Sequence, residues 1–203
     1  DLAGNADLFH FPNFILPPLN AGRSVVTIHD VSFLRYPQFT EKKNLSYLKR
    51  HVRDTARGAD AVITLSNFCA GEIRELLQVP SERLFPVHLG VAPEFAPAGP
   101  EQIAGLRNDL QLDRPYLLTV GTLEPRKNLT FLVDVFERLT DFPGLLVVAG
   151  MRGWRDRPIL ERIMRSSRAA DIRYVEYIPD DRLPALYSGA ELFLFPSLYE
   201  GFG

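Results

Sequence analysis

Eight short apolar runs, separated by longer segments of helical period, restrict the fold of this chain more than any other feature. The runs are DLFHF (7–11), SVVTIH (24–29), DAVITL (60–65) and LFPVHL (84–89), then YLLTVG (116–121), GLLVVAG (144–150), RYVEYI (173–178) and ELFLFP (191–196). They lack strict apolar–polar alternation, as parallel strands buried on both faces do. Helices are predicted between them at 41–57, 67–77, 128–140, 156–168 and 181–188. In the first of these, Leu45, Leu48, Val52 and Ala56 form one apolar stripe. Gly58 closes that helix, and Ser66 is placed to N-cap the next. Strand–helix alternation of this kind predicts an α/β fold with helices on both faces of parallel sheets.

The pattern breaks once, at GVAPEFAPAGPEQ (90–102), where Pro93, Pro97, Gly99 and Pro100 crowd together. Such a stretch reads as a linker. Two Rossmann-like, doubly wound domains are therefore expected, divided as 1–96 and 97–203. The chain has no initiator Met and stops at Gly203 in mid-motif. Both domains are expected to be incomplete and the chain a fragment.

Composition narrows the function. Of 203 residues, 46% are hydrophobic and 24% charged, ordinary for a globular protein. A net charge of −2 gives no global attraction to nucleic acid, so any anion binding must be local. Cys69 is the only cysteine, which excludes an intrachain disulfide and a Cys-rich zinc site. No Asp-x-Asp triplet and no metal-ligand spacing of His or Cys occurs, so neither metal nor cofactor is called for. No signal peptide is visible at the start, and no apolar run approaches the roughly 20 residues of a spanning helix. A cytoplasmic location is expected.

Two strand ends carry the chemistry. In a doubly wound sheet, ligands bind beyond the carboxyl ends of the strands. VGTLEPRKNL (120–129) lies at such an end, with Gly121 permitting a tight exit and Arg126 and Lys127 close to a helix start. Free N–H groups and the helix dipole favour an anion there, Arg forking onto phosphate oxygens and Lys acting as a point charge. A solvated basic turn is the alternative. FPSLYEGFG (195–203) is the second place, with Glu200 beside Gly201 and Gly203. A carboxylate can accept from two sugar hydroxyls while glycines admit a ligand to the backbone, or the stretch is a plain glycine-rich turn.

Taken together, Gly-x-x-x-Pro-Arg-Lys-Asn and Pro-Ser-x-Tyr-Glu-Gly-Phe-Gly resemble the retaining glycosyltransferases of family four, which have the GT-B fold. VVTIHD, AVITLSNF and VHLGVAPEF look like later strands and hinge of the acceptor domain. YIPDDRLPALYSGAELFLFPSLYEGFG is similar to the donor-domain core. The EPRKNL form looks most like bacterial mannosyltransferases that build surface polysaccharides. The resemblance implies an acceptor-binding domain in 1–96, a nucleotide-sugar domain in 97–203, and closure of the two on donor and acceptor. It implies that Gly121, Arg126 and Lys127 bind the donor diphosphate, and that Glu200 contacts the donor sugar, with backbone N–H groups of Gly201, Phe202 and Gly203 against it. The family's second acid would lie beyond Gly203. Thr122 stands where many relatives carry Arg, and Glu176 where they often have Gly beside the base pocket.

On the acceptor side, the resemblance points to His29 as catalytic, together with Glu200, and to His10 and Asp30 as candidates; a satisfied strand-end His is the alternative for His29. His51 and His88 read as structural. Trp154 reads as a loop aromatic packed on its own domain. The implied donor is GDP-mannose, with a UDP-sugar as alternative, and the implied acceptor is a glycan or a lipid-linked glycan. The rival readings are a sugar-nucleotide epimerase of the same fold and a nucleotide-binding module without catalysis. The segment 41–57 carries six Lys or Arg against Glu41 and Asp54. It is either a solvated helix face or a peripheral contact with the inner face of the plasma membrane.

Overall fold

The computed structural model describes residues 6–19 and 22–203. The chain divides into two compact units, one running to Gly90 and including Tyr199–Gly203, the other Val91–Leu198.

The first unit is built on four parallel strands, β1 (Leu8–Phe11), β2 (Arg23–Thr27), β3 (Ala61–Thr64) and β4 (Leu84–Pro86), side by side in chain order. Helices α1 (Ser32–Arg35) and α2 (Lys42–Gly58) connect β2 to β3, and α3 (Asn67–Leu77) connects β3 to β4. Strand register puts Phe11, Val26, Val62 and Leu84 in one row on one face. That row packs on Val52 and Ala56 of α2 and on Ile73 and Leu77 of α3. The stripe predicted for α2 is therefore the one that enters the core. Ser66 Oγ accepts from the Cys69 N–H at 3.1 Å, the predicted N-cap of α3. In the opposite row of Thr27, Ile63 and Phe85, Thr27 is buried and Phe85 is exposed.

The second unit holds α4 (Pro100–Asp109), β5 (Tyr116–Val120), α5 (Leu129–Arg138), β6 (Leu145–Ala149), α6 (Arg157–Met164), β7 (Ile172–Val175), α7 (Leu183–Ser188) and β8 (Leu192–Phe193). All four strands are parallel, in the order β7-β6-β5-β8. All five residues of β6 are buried because the sheet is covered twice. Leu117, Leu146 and Val148 face α5 and α6, whereas Leu118, Leu145 and Val147 face α4 and α7. This is why the sequence shows continuous apolar runs rather than alternation. Arg168 closes the far end by donating to the carbonyls of Phe136, Leu139, Phe142 and Gly144.

Each of the eight predicted runs overlaps a strand, β2 and β7 beginning one residue before theirs. Two helices escaped the sequence reading. α1 is a single turn, and α4 begins at Pro100, inside the stretch assigned to the linker. Proline at the first helical position costs no hydrogen bond, and the Gly99 N–H donates to Gln102 Oε1 at 2.9 Å. Among the described residues, no helix is long and apolar enough to cross a membrane.

Candidate functional site

In the second sheet the chain order reverses at β5, with β6 on one side and β8 on the other. That reversal leaves a crevice outside the carboxyl ends of β5 and β8, the usual ligand position in open parallel sheets. Gly121 leaves β5 with φ +153°, and Gly150 leaves β6 with φ +148°. A Cβ at Gly150 would lie 2.1 Å from the Gly121 carbonyl oxygen, so the two strand exits touch through bare backbone.

A single 3-10 turn, Pro125–Lys127, then leads into α5 through Asn128, which adopts left-handed φ and ψ. The Asn128 side-chain amide donates to the Pro196 carbonyl at 3.3 Å, and the Leu198 N–H donates to the Arg126 carbonyl at 2.9 Å. Lys127 Nζ lies 5.3 Å from the centre of the Phe195 ring. The first strand end is thus stitched to Phe195–Leu198, the opening part of the second, around one small cleft lined by Gly121, Lys127, Leu129, Phe195 and Ser197, whereas Glu200–Gly203 pack in the first unit. Arg126 is paired with Glu124 at 2.6 Å.

Ser197 was not expected here. Its hydroxyl is buried, lines the same cleft and has no hydrogen-bond partner among the described residues. Ser197 belongs to the quoted Pro-Ser-x-Tyr-Glu-Gly-Phe-Gly motif, but a neutral Ser carries no charge to single it out, and the tertiary structure brings it forward. Thr122 and Glu176 are exposed. Trp154 is half-buried beneath the Arg155 guanidinium, at 4.4 Å, in keeping with a packed loop aromatic.

The remaining candidates lie in the first unit. The His29 imidazole shares a hydrogen bond with the Pro12 carbonyl at 2.9 Å; since a carbonyl only accepts, Nε2 is the donor. Its ring also stands edge-on to Phe14 at 5.6 Å. Asp30 Oδ1 accepts from the Ser32 N–H at 2.8 Å, an Asx turn that leads into α1. His10 Nε2 bonds the Thr27 hydroxyl at 2.8 Å. His51 packs on Tyr47, and His88 is exposed.

Tyr199–Gly203 packs in this same unit. Ser66 Oγ, while capping α3, donates to the Gly201 carbonyl at 2.5 Å, and Cys69 Sγ lies 3.2 Å from that oxygen. A Cβ at Gly201 would stand 2.6 Å from the His29 carbonyl oxygen and 2.8 Å from Asp30 Cβ. Only glycine fits. Tyr199 is buried between Tyr36 and Phe68, and this burial pushes its phenol well above the usual range. Burial likewise raises the Cys69 thiol, which makes it a poor nucleophile. Glu200 and Gly201 are half-buried, while Phe202 and Gly203 are exposed.

Two parallel-sheet α/β units, the second with a cationic cleft at its switch point, define the GT-B class of fold. Comparison with known proteins agrees. Residues 2–95 match Glycosyltransferase Family 4, and residues 106–203 match Glycosyl transferases group 1. O-antigen chain mannosyltransferase B of Escherichia coli is 34% identical over 200 residues, covering 97% of this chain and 52% of that protein. The serotype-specific mannosyltransferase WbdA of Escherichia coli is 31% identical over 158 residues, covering 71% of this chain and 19% of that protein. Among solved structures, sucrose-phosphate synthase of Thermosynechococcus elongatus superposes with a TM-score of 0.74 at 22% identity, over 90% of this chain and 46% of that one. HepE of Anabaena, in complex with UDP-glucose, superposes with a TM-score of 0.72 at 18% identity, over 90% of this chain and 49% of that one. The chain belongs to the GT-B glycosyltransferases of family four, its second half being of the group 1 type. It spans about half the length of the first of these relatives, 52%.

Proposed function

We propose that the protein is a retaining glycosyltransferase that moves mannose from GDP-mannose to a glycan or lipid-linked acceptor, in polysaccharide biosynthesis. A UDP-sugar is the alternative donor. The observation that carries the reading is the hydrogen-bonded joining of residues 125–128 to 196–198 around the β5/β8 cleft. Lys127, a glycine exit and a helix start line it, with Arg126 the preceding residue, which suits a diphosphate. Relatives named as mannosyltransferases support the sugar, and HepE in complex with UDP-glucose keeps the uridine donor in view.

In this reading Gly121, Arg126 and Lys127 hold the diphosphate, and Glu200 with the backbone of Gly201, Phe202 and Gly203 binds the transferred sugar. His29 and Glu200 act at the reacting sugar, and His10 and Asp30 lie on the acceptor side. The acceptor domain is proposed for residues 1–96 and the donor domain for 97–203, although Val91–Ala96 pack with the second unit and Tyr199–Gly203 with the first. The bond from the anomeric carbon to the leaving phosphate breaks as the acceptor oxygen bonds to that carbon on the same face. The acceptor proton passes to the departing phosphate. Negative charge growing on the nucleoside diphosphate is met by Arg126, Lys127 and the start of α5, which is electrostatic preorganisation without a metal.

The test uses the protein with its full flanking sequence and radiolabelled GDP-mannose. Label should enter product only with acceptor, survive excess chelator and keep the donor's anomeric configuration. Donor turnover without acceptor identifies an epimerase instead. Nucleotide binding with no turnover of either kind identifies a binding module.

A further inference from the structure

Ser66 makes two hydrogen bonds of opposite sense. Its Oγ accepts from the Cys69 N–H at 3.1 Å, which caps α3, and donates to the Gly201 carbonyl at 2.5 Å. A serine hydroxyl has one proton and two lone pairs, so both bonds form at once. The Ser66 backbone is extended, with φ −153° and ψ 160°, as an N-cap requires. Gly201 therefore presents its carbonyl oxygen to the start of an 11-residue helix, where the positive end of the dipole favours it. The Cys69 thiol lies 3.2 Å from the same oxygen and 3.4 Å from the His29 carbonyl, but a thiol is a weak donor. The Ser66 hydroxyl is the stronger hold.

The stretch 199–201 is thus anchored twice. Tyr199 is buried with its ring 5.6 Å from those of Tyr36 and Phe68, and Gly201 is seated by Ser66. Glu200 lies between the two anchors. Consecutive Cα atoms are about 3.8 Å apart, so fixing both neighbours leaves the Glu200 backbone little freedom. The Gly201 main chain also rests against His29 and Asp30 at the exit of β2. Ser66 and Gly201 are 135 residues apart in the chain, which is why the sequence shows only the cap.

We propose that Ser66 is a positioning residue: by docking Gly201 on the start of α3, it sets where the Glu200 carboxylate stands at the transferred sugar. This rests on the reading of Glu200 as a ligand of the donor sugar. Ser66 itself needs no contact with sugar or nucleotide and acts through the main chain of 199–201. The diphosphate is assigned to Gly121, Arg126 and Lys127. Loss of the Ser66 proton should therefore weaken the grip on the sugar and spare the grip on the nucleotide.

The experiment separates the two bonds. Ser66→Asp keeps a good N-cap acceptor but has no proton to donate, whereas Ser66→Thr keeps both functions. Ser66→Gly, which costs an N-cap little, repeats the loss without adding a charge. In the protein with its full flanking sequence, all three should keep the parent's melting temperature closely. Hydrogen exchange over 199–203, read by mass spectrometry, should be about tenfold faster or more in Ser66→Asp and Ser66→Gly, and unchanged in Ser66→Thr. Calorimetry should give the parent's affinity for GDP in all three. Affinity for GDP-mannose should fall about fivefold or more in Ser66→Asp and Ser66→Gly, and be kept in Ser66→Thr. If Ser66 only caps α3, Ser66→Asp behaves as the parent throughout, and the inference is overturned. Faster exchange with GDP-mannose affinity intact would overturn it too, as would equal losses of affinity for GDP and GDP-mannose. A parent that does not bind GDP-mannose removes the donor reading, and the inference with it.

Discussion

The Leu198 N–H donates to the carbonyl oxygen of Arg126 at 2.9 Å, joining the segment after β8 to the turn before α5. With the Asn128 amide on the Pro196 carbonyl, it fixes two strand exits as one wall of a cleft. One of these bonds is backbone to backbone, and the other comes from the Asn128 side-chain amide.

Ser197 is the sharpest test of what the cleft is for. A buried hydroxyl without a partner costs stability in the unliganded protein. Ser197→Ala should leave the melting temperature unchanged or raised. If the hydroxyl donates to a phosphate oxygen, the same change should weaken GDP binding by about 1 kcal/mol. Unaltered affinity in calorimetry would remove Ser197 from the site.

His29 should separate turnover from nucleotide affinity. In the complete enzyme, His29→Ala is expected to lower the catalytic rate at least tenfold and leave the affinity for free GDP nearly unchanged, because a group acting at the reacting sugar contributes chiefly in the transition state. A structural role gives a different pattern. Loss of its bond to the Pro12 carbonyl and of its contact with Phe14 would then lower the melting temperature and spread modest damage over all constants. Near-normal turnover in a stable variant would rule the catalytic reading out.

Sequence patterning was legible wherever burial was strong. β6 could be placed because all five of its residues are buried, and α2 because its stripe enters the core. The linker reading swallowed α4 because Pro100, a helix breaker inside a segment, is harmless at a first turn. At the site, the cations of 126–127 were visible as residue types, but their stitching to 196–198 is a long-range backbone relation that no local pattern encodes. The same holds for Gly201. Its need to be glycine comes from His29 and Asp30, far away in the chain.

A pH effect should appear in the second unit, away from the cleft. Glu137 accepts from both terminal guanidinium nitrogens of Arg162, at 3.1 and 2.5 Å, and from the Ser167 N–H at 2.8 Å. Led by Arg162, these donors hold its carboxyl at about 2, down from 4.5. A depressed carboxyl contributes stability that is present above its unfolded value and lost as pH falls through the folded one. Glu137→Gln should therefore lower the melting temperature at neutral pH, and the gap from the parent should shrink between roughly pH 5 and pH 2. A gap that stays constant across that range would contradict the assignment.

The most direct measurement of the central claim is calorimetric titration of GDP into the parent protein and into Arg126→Ala and Lys127→Ala. If the β5/β8 cleft holds the donor diphosphate, each variant should stay folded and lose about 1–3 kcal/mol of binding free energy, the scale of a charge-assisted hydrogen bond. GDP affinity equal to the parent's in both folded variants would contradict it.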